Sequence, residues 1–313
     1  MVAAVQQFFT KFDAGPPGGH SGPVFLHAVG AVADVTRPEG CAMSITHRLG
    51  AGQAALPVDR DDPSAGLSAR KPPLLAAKSL RAMPLTRRYQ SCWLTPEGAV
   101  QTSARLAPAT PLFEEAFSAL ARGSVLMTED GPVAIEDLQP GQSVLTAEGR
   151  AERVCWIGSM VIYPGAETGR DLEEQVSLTR ITAEAFGAGR PALDLVLGPR
   201  ARLCLRDPRL RRVSGLEAAY VPARAFLDGI SVIEVTPSAP VTVYHVVLQQ
   251  HGSLRVAGLE VEAFHPGEGV ERMIDPRMLS LFEAQFPQFA SLAAFGPPAH
   301  PRLTRFEVES LWD

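Results

Sequence analysis

Two imidazoles on one strand-like run could move a proton near neutral pH. His245 lies in TVYHVVL, residues 242–248, and His251 follows Gln249–Gln250. An unperturbed imidazole titrates near ~6.5, so it can act as acid or base where an amine must leave a carbonyl. Each also has a plainer reading. His245 can be a semi-buried strand residue with one nitrogen satisfied, and His251, just before Gly252, can be a turn residue. Neither has a metal-ligating companion at short spacing, so no metal is expected. A second feature is the basic run Arg200, Arg202, Arg206, Arg209, Arg211 and Arg212. Such a run can bind an anion or nucleic acid. No aromatic residue interleaves and the chain is net acidic at −5, so a solvated loop between strands is the expected structure. Phosphate-loop, dinucleotide and zincin motifs are absent, and the GPPGGH at 15–20 precedes no clear strand–helix unit, so no cofactor is expected.

The elements that must position these residues are mostly short strands. At 313 residues with 46% hydrophobic content the chain can bury a sizeable core. Its cations are nearly all Arg, with Lys only at 11, 71 and 78. Cys41, Cys92, Cys155 and Cys204 form no C-x-x-C pair, which argues against a zinc or disulfide framework. Cys155 and Cys204 sit in apolar runs and are expected to be buried small hydrophobes. No segment reaches the ~20 apolar residues that span a bilayer, so no membrane partner is expected. The start MVAAVQQFFTKFDAG has neither the basic onset nor the apolar run of a signal peptide. The default expectation is a cytoplasmic protein, the alternative being export directed by a signal elsewhere or by a partner.

Three blocks follow from the pattern. Residues 1–110 read as a β-containing N-terminal segment, with strand-like runs at 24–35 and 41–47 and a Pro/Ala-rich loop at 51–77. Within it, 87–107 predicts a hairpin about Pro96–Glu97–Gly98. A helix is expected from Thr110, with Pro111 in its first turn and Glu114 and Glu115 facing the positive end of its dipole. Phe113, Phe117 and Leu120 would form its buried stripe, and Gly123 would end it. Residues 111–265 read as one unit of short strands, with a looser stretch at 165–192 and a short helix near Thr182–Phe186. Residues 266–313 read as a C-terminal helical extension, capped by Asp275, stopped by Pro287, and apolar at Met278, Phe282 and Phe286. Beyond Pro297 the tail is expected to be irregular.

Three words in the central block carry a resemblance. The first, GSVLMTEDGPVAIEDLQPGQSVLTAEGRAERVCWIG at 123–158, is a series of strands broken by Asp130–Gly131, Pro140–Gly141 and Glu148–Gly149 turns. The second is VPARAFLDGISVIEV at 221–235, with Pro222, Ala223, Arg224 and Gly229. The third is VYHVVLQQHGSLRVAGLEVEAFH at 243–265, with Tyr244, His245, Leu248, His251, Leu254, Gly258 and Leu259. In this order they resemble a bacterial Hint domain, the Hedgehog/intein autoprocessing fold. The resemblance implies a mainly β protein: a disk of antiparallel strands with an N-terminal β extension and a C-terminal helix.

The same resemblance locates the chemistry. In such domains a Cys or Ser attacks the carbonyl before it, and a Thr/Ser-x-x-His pair polarises the peptide and protonates the amine. The nucleophile position, four residues before the Gly of Gly123–Ser124, is Ala119 here. The middle motif reads Gly198–Pro199–Arg200–Ala201, so hydroxyl and imidazole are replaced by Gly198 and Ala201. Ser118, one residue upstream and within the expected helix, and Ser124 are the remaining hydroxyls that could substitute. Three functions follow. The leading one is a degenerate, non-cleaving Hint protein acting as a structural or partner-binding module for an unidentified protein. The others are self-cleavage through a serine, and anion or nucleic-acid binding through residues 200–212, which net charge disfavours.

Overall fold

The computed structural model describes residues 85–164 and 176–311. The expected strands at 24–35 and 41–47 and the loop at 51–77 lie outside these residues. Within them the chain is built from short antiparallel strands, in keeping with frequent Gly turns and β-branched runs.

A hairpin comes first: β1 (Thr86–Leu94) and β2 (Val100–Pro108), paired from Thr86↔Pro108 to Leu94↔Val100. Gly98, at φ +83, turns it. Next are helix α1 (Pro111–Glu115), β3 (Leu120–Ala121), β4 (Val125–Thr128), β5 (Gly131–Ala134), β6 (Ser143–Leu145) and the long β7 (Ala151–Ile162). After β8 (Leu178–Ile181), β9 (Leu195–Leu197) and β10 (Arg202–Leu205) come helix α2 (Pro208–Ser214), β11 (Ala219–Pro222) and β12 (Val232–Val235). The strands end with β13 (Val241–Leu248), β14 (Ser253–Val256) and β15 (Leu259–Glu262). Helices α3 (Val270–Met273), α4 (Pro276–Glu283) and α5 (Arg305–Glu309) complete the described chain. Strand order across the sheet runs β11-β10-β15-β14-β4-β6-β7-β13-β3-β9-β8-β12, with β1 and β2 added on β7.

Strand β13 divides the interior, because side chains on a strand alternate between faces. Val246 and Leu248 point into one core with Leu120, Leu126, Val144, Leu197 and Leu254. Val243 and Val247 point into a second core with Tyr89, Phe113, Phe117, Trp156, Phe264, Phe282, Phe286 and Phe295. The second core is thus drawn from β1, α1, β7, α4 and the tail. Gly158 makes it possible: a Cβ there would lie 2.1 Å from the Trp156 ring and 2.6 Å from Phe117. Trp156 is fixed by its indole N–H, which donates to Gln285 O at 2.9 Å.

Several local expectations need correction. Helix α1 stops at Glu115, so Ser118 and Gly123 lie beyond it, and the Thr110 side chain makes no capping bond. Phe113, Phe117 and Leu120 are nonetheless fully buried, the last from a strand. Thr182–Phe186 is a run of turns, not a helix. The basic run is not a loop. Arg202 is in β10, and α2 follows with Asp207 accepting from Arg209 N–H, Pro208 at its start and Gly215 in the left-handed C-cap. Helix α4 is capped by Asp275 as expected but ends at Glu283. The tail is not irregular throughout, since α5 carries a complete Thr304/Glu307 capping box. Cys204 is buried, but Cys155 is only half-buried.

Phe286 packs within 4.8 Å of Trp156 and 5.2 Å of Phe295, ring centre to ring centre, and stacks on Phe264. Phe286→Ala is therefore expected to cost about 3–5 kcal/mol, read as a lower urea midpoint. An unchanged midpoint would show that the second core does not stabilise the domain.

Candidate functional site

Ser118, Ala119, Gly198 and Ala201, four of the positions singled out by the sequence, come together about one peptide bond, Ser118–Ala119; Ser124 and His251 do not. Ser118 O accepts from Arg200 N–H at 3.1 Å, and Ala119 N–H donates to Tyr244 O at 2.9 Å. Ala119 O accepts from Gly198 N–H at 2.8 Å. The unit therefore has its hydrogen bonds satisfied along both edges. Gly198 lies directly against it: an added Cβ would sit 2.3 Å from Ser118 O and 2.6 Å from its carbon. Ala201 N–H closes a turn onto Gly198 O, and Ala201 O accepts from Ala223 N–H. Ser118, Ala119 and Ala201 are all buried.

The hydroxyls are not poised for attack. Ser118 Oγ donates to Glu114 O at 2.6 Å. Ser124 precedes β4, where its N–H donates to Ala121 O and its carbonyl accepts from Ile135 N–H.

His245 projects from β13 beside this bond. Its Nδ1 lies 2.7 Å from Glu115 O and its Nε2 3.2 Å from Glu262 O. Complete burial lowers its pKa to about 4, against the raising effect of these two carbonyls. The ring is therefore neutral at pH 7 and carries one proton for two acceptors. His251 stands farther along, its Nε2 3.8 Å from the Glu262 carboxylate. Its Nε2–H donates to Ala263 O at 2.9 Å and its Nδ1 accepts from Ala299 N–H at 2.9 Å. Burial pushes its pKa to about 3. It also lines a cavity of about 380 Å³ with Glu148, Arg150, Gln249, Gln250 and the 294–299 loop.

The residues that dominate the centre were not expected from the sequence. Glu115, Arg202, Glu262 and Arg302 form a closed ring of alternating charge. Arg202 reaches Glu115 at 2.5 Å and Glu262 at 3.5 Å, while Arg302 reaches Glu262 at 2.8 Å and Glu115 at 3.2 Å. Burial alone would raise the Glu115 carboxyl, but Arg202 and Arg302 outweigh it and hold it below its usual range. Glu262 is more deeply buried, and there desolvation wins and raises the carboxyl. Glu262 alternates with apolar Leu259, Val261 and Ala263, a pattern that a solvent-facing glutamate would also produce.

The Arg run is largely neutralised. Arg206 pairs with Glu260 at 2.9 Å, Arg211 with Glu217 at 3.1 Å, and Arg200 faces Glu114 at 3.8 Å. Burial pushes the Cys204 thiol up to about 12, which makes it a poor nucleophile. Among the described residues no group of three or more His, Cys, Asp or Glu could hold a metal ion. Among them, too, no helix is long and apolar enough to cross a membrane.

Comparison with known proteins agrees with the three sequence words. Residues 118–268 match the family model described as "Hint domain". A bacterial intein-like domain from Clostridium thermocellum, solved in solution, aligns with 47% of this chain and 99% of its own. The identity is 12% and the TM-score 0.33. The MchDnaB-1 intein aligns with 47% of this chain and 100% of its own, at 16% identity and a TM-score of 0.29. The curated proteins gave no match. Residues 118–268 therefore form a Hint-type domain within this chain, and the matched region begins at Ser118, beside the peptide bond described above.

Two consequences can be measured. His245 and His251 have depressed pKa values, so the unfolded chain binds their protons first as pH falls below ~6.5. Each then removes about 1.4 kcal/mol of stability per pH unit down to its folded pKa. Glu262, with its raised pKa, acts in the opposite direction. The net expectation is a loss of about 2–4 kcal/mol between pH 7 and 5, measured by urea unfolding; equal stability at both would refute it. Separately, Arg302→Ala leaves two carboxylates under-compensated and is expected to cost about 3–5 kcal/mol. Arg305→Ala, whose ion pair with Glu309 is exposed, should cost under about 1 kcal/mol.

Proposed function

We propose that this chain keeps the Hint fold without self-cleavage and serves as a structural or partner-binding module for another protein. The observation that supports this most is the state of the Ser118–Ala119 peptide. An acyl shift there would need a nucleophile on residue 119, and Ala119 offers only a methyl group. It would need an acid near the amide nitrogen, and that N–H donates instead to Tyr244 O. The hydroxyl position of the middle motif is Gly198, where even a Cβ would collide with the Ser118 carbonyl.

Packing upstream supports the same reading. Segments before Ser118 are not a loosely attached leaving group. Strand β1 pairs with β7 from Tyr89↔Met160 to Trp93↔Trp156, and Phe113 and Phe117 are fully buried. Cleavage at this junction would leave the upstream piece held by sheet and core. Self-cleavage by Ser118 is disfavoured because its hydroxyl is bonded to Glu114 O, and the neighbouring imidazole is held by main-chain carbonyls. Polyanion binding is disfavoured because Arg202, Arg206 and Arg211 already face carboxylates.

Intact mass tests the proposal. Full-length protein held for a day, with or without a thiol or hydroxylamine, is expected to give one uncleaved mass. Ala119→Cys should behave identically, since it restores the attacking atom but neither the acid nor a distorted peptide. Fragments ending near residue 118 in the parent protein would overturn the non-cleaving reading. Thiol-dependent fragments in Ala119→Cys alone would show that the centre retains more of the machinery than proposed.

A further inference from the structure

We propose that the outer edge of β2 is a self-pairing surface, through which two copies of this chain join their sheets antiparallel about a two-fold axis at Ser103. Among the described residues β2 pairs only with β1. Its nine residues run in unbroken register, with Arg105 the one charge. Natural edge strands are commonly blunted by brevity, lysines, prolines or bulges. Over residues 100–106 this strand has no lysine, proline or bulge, and Arg105 is its single charged blunting residue. Residues 100–102 and 104–106 are exposed, with Val100 at 47% and Leu106 at 72%.

The direction of the free backbone groups follows from the hairpin. Thr95 N–H donates to Ala99 O and Ala109 N–H to Leu85 O, at 2.8 and 2.7 Å. Hydrogen-bonded pairs in an antiparallel ladder alternate with non-bonded ones. The odd residues of β2 therefore bond to β1, and Val100, Thr102, Ala104 and Leu106 direct N–H and C=O outward. Pro108 ends this row: it has no N–H, and its carbonyl accepts from Tyr89 O–H at 3.1 Å.

That spacing specifies a partner of the same sequence. With Ser103 opposite Ser103, Thr102 faces Ala104 and Val100 faces Leu106. Each outward N–H and C=O from 100 to 106 then finds a partner. Both exposed apolar side chains meet an apolar neighbour, and Arg105 meets Gln101 instead of a like charge. A shift to Ala104 as the centre would set Leu106 against Thr102 and Val100 against a proline without a donor. The pairing is isologous and closes as a dimer.

The full-length chain tests this by sedimentation from about 1 to about 100 µM, together with Ser103→Cys and Ala104→Pro. In the proposed register the two 103 positions form a non-hydrogen-bonded pair with Cα atoms about 4.5 Å apart, within disulfide reach. Ser103→Cys is expected to give a covalent dimer on mild oxidation, with the 103–103 linkage found by peptide mapping. Ala104→Pro removes an outward donor and leaves the bonds to β1 intact. It is expected to stay monomeric at all concentrations, with the parent's circular dichroism. A parent protein monomeric throughout, or a Ser103→Cys protein without the 103–103 linkage, would overturn the proposal. So would an Ala104→Pro protein that dimerises like the parent. The outcome is independent of self-cleavage, because β2 lies outside the candidate site.

Discussion

The closed ring of Glu115, Arg202, Glu262 and Arg302 is the constraint on which the centre of this protein depends. Its charges alternate and cancel, so no member is left uncompensated where Glu262 is almost fully buried. The members come from the end of α1, from β10, from β15 and from the tail, four segments distant in sequence. Removing any one exposes its neighbours to the cost of an unpaired buried charge. The ring also reaches beyond its own atoms. Arg302 donates to His265 O, and the backbone carbonyls of Glu115 and Glu262 hold the two nitrogens of His245.

That arrangement bears directly on chemistry. An acyl shift is helped by a strained peptide whose nitrogen can receive a proton. Around Ser118–Ala119 the forces act in the opposite sense. Glu115 is clamped three residues upstream of Ser118, Tyr244 O holds the amide N–H, and Gly198 fills the space in which an acid or hydroxyl would have to stand. His245 survives as a residue type but is neutral and bonded to main chain. Between two carbonyls the neutral ring, with a single N–H, can donate to only one of them at a time.

The fold was legible where local rules coincide with tertiary ones. The β1–β2 hairpin follows from its turn sequence, and α4 from Asp275–Pro276, because cap and turn preferences are set within a few residues. The place of Ala119, Gly198 and Ala201 beside one another was legible, because the family resemblance marks those positions in the sequence and the fold brings Gly198 against the Ser118–Ala119 peptide. The ring was not. Glu262 and Arg202 occupy strand positions whose alternation is equally consistent with a solvent face, and their pairing spans large sequence separations. Helix α2 did carry its signals, Asp207–Pro208 and Gly215, but its density of arginine read more naturally as a loop. Helix α1 carried start signals and an apolar spacing that suited a longer helix. The chain instead turns into β3, where Leu120 is buried from a strand.

The second core ties the two sides of the Ser118–Ala119 junction together. A domain that severs itself from an upstream segment benefits when few contacts cross the junction. Here Phe113 and Phe117 stand before Ser118, Trp156 and Phe264 stand after it, and their rings meet in one cluster with Phe286 and Phe295. The Phe117 and Trp156 ring centres are 5.2 Å apart across that junction. Residues on both sides are therefore needed to exclude water from the same space. Substitutions at three positions could remove the reaction from an otherwise unchanged domain. A core and an ion-pair ring shared across the junction make the segments on its two sides one unit of stability.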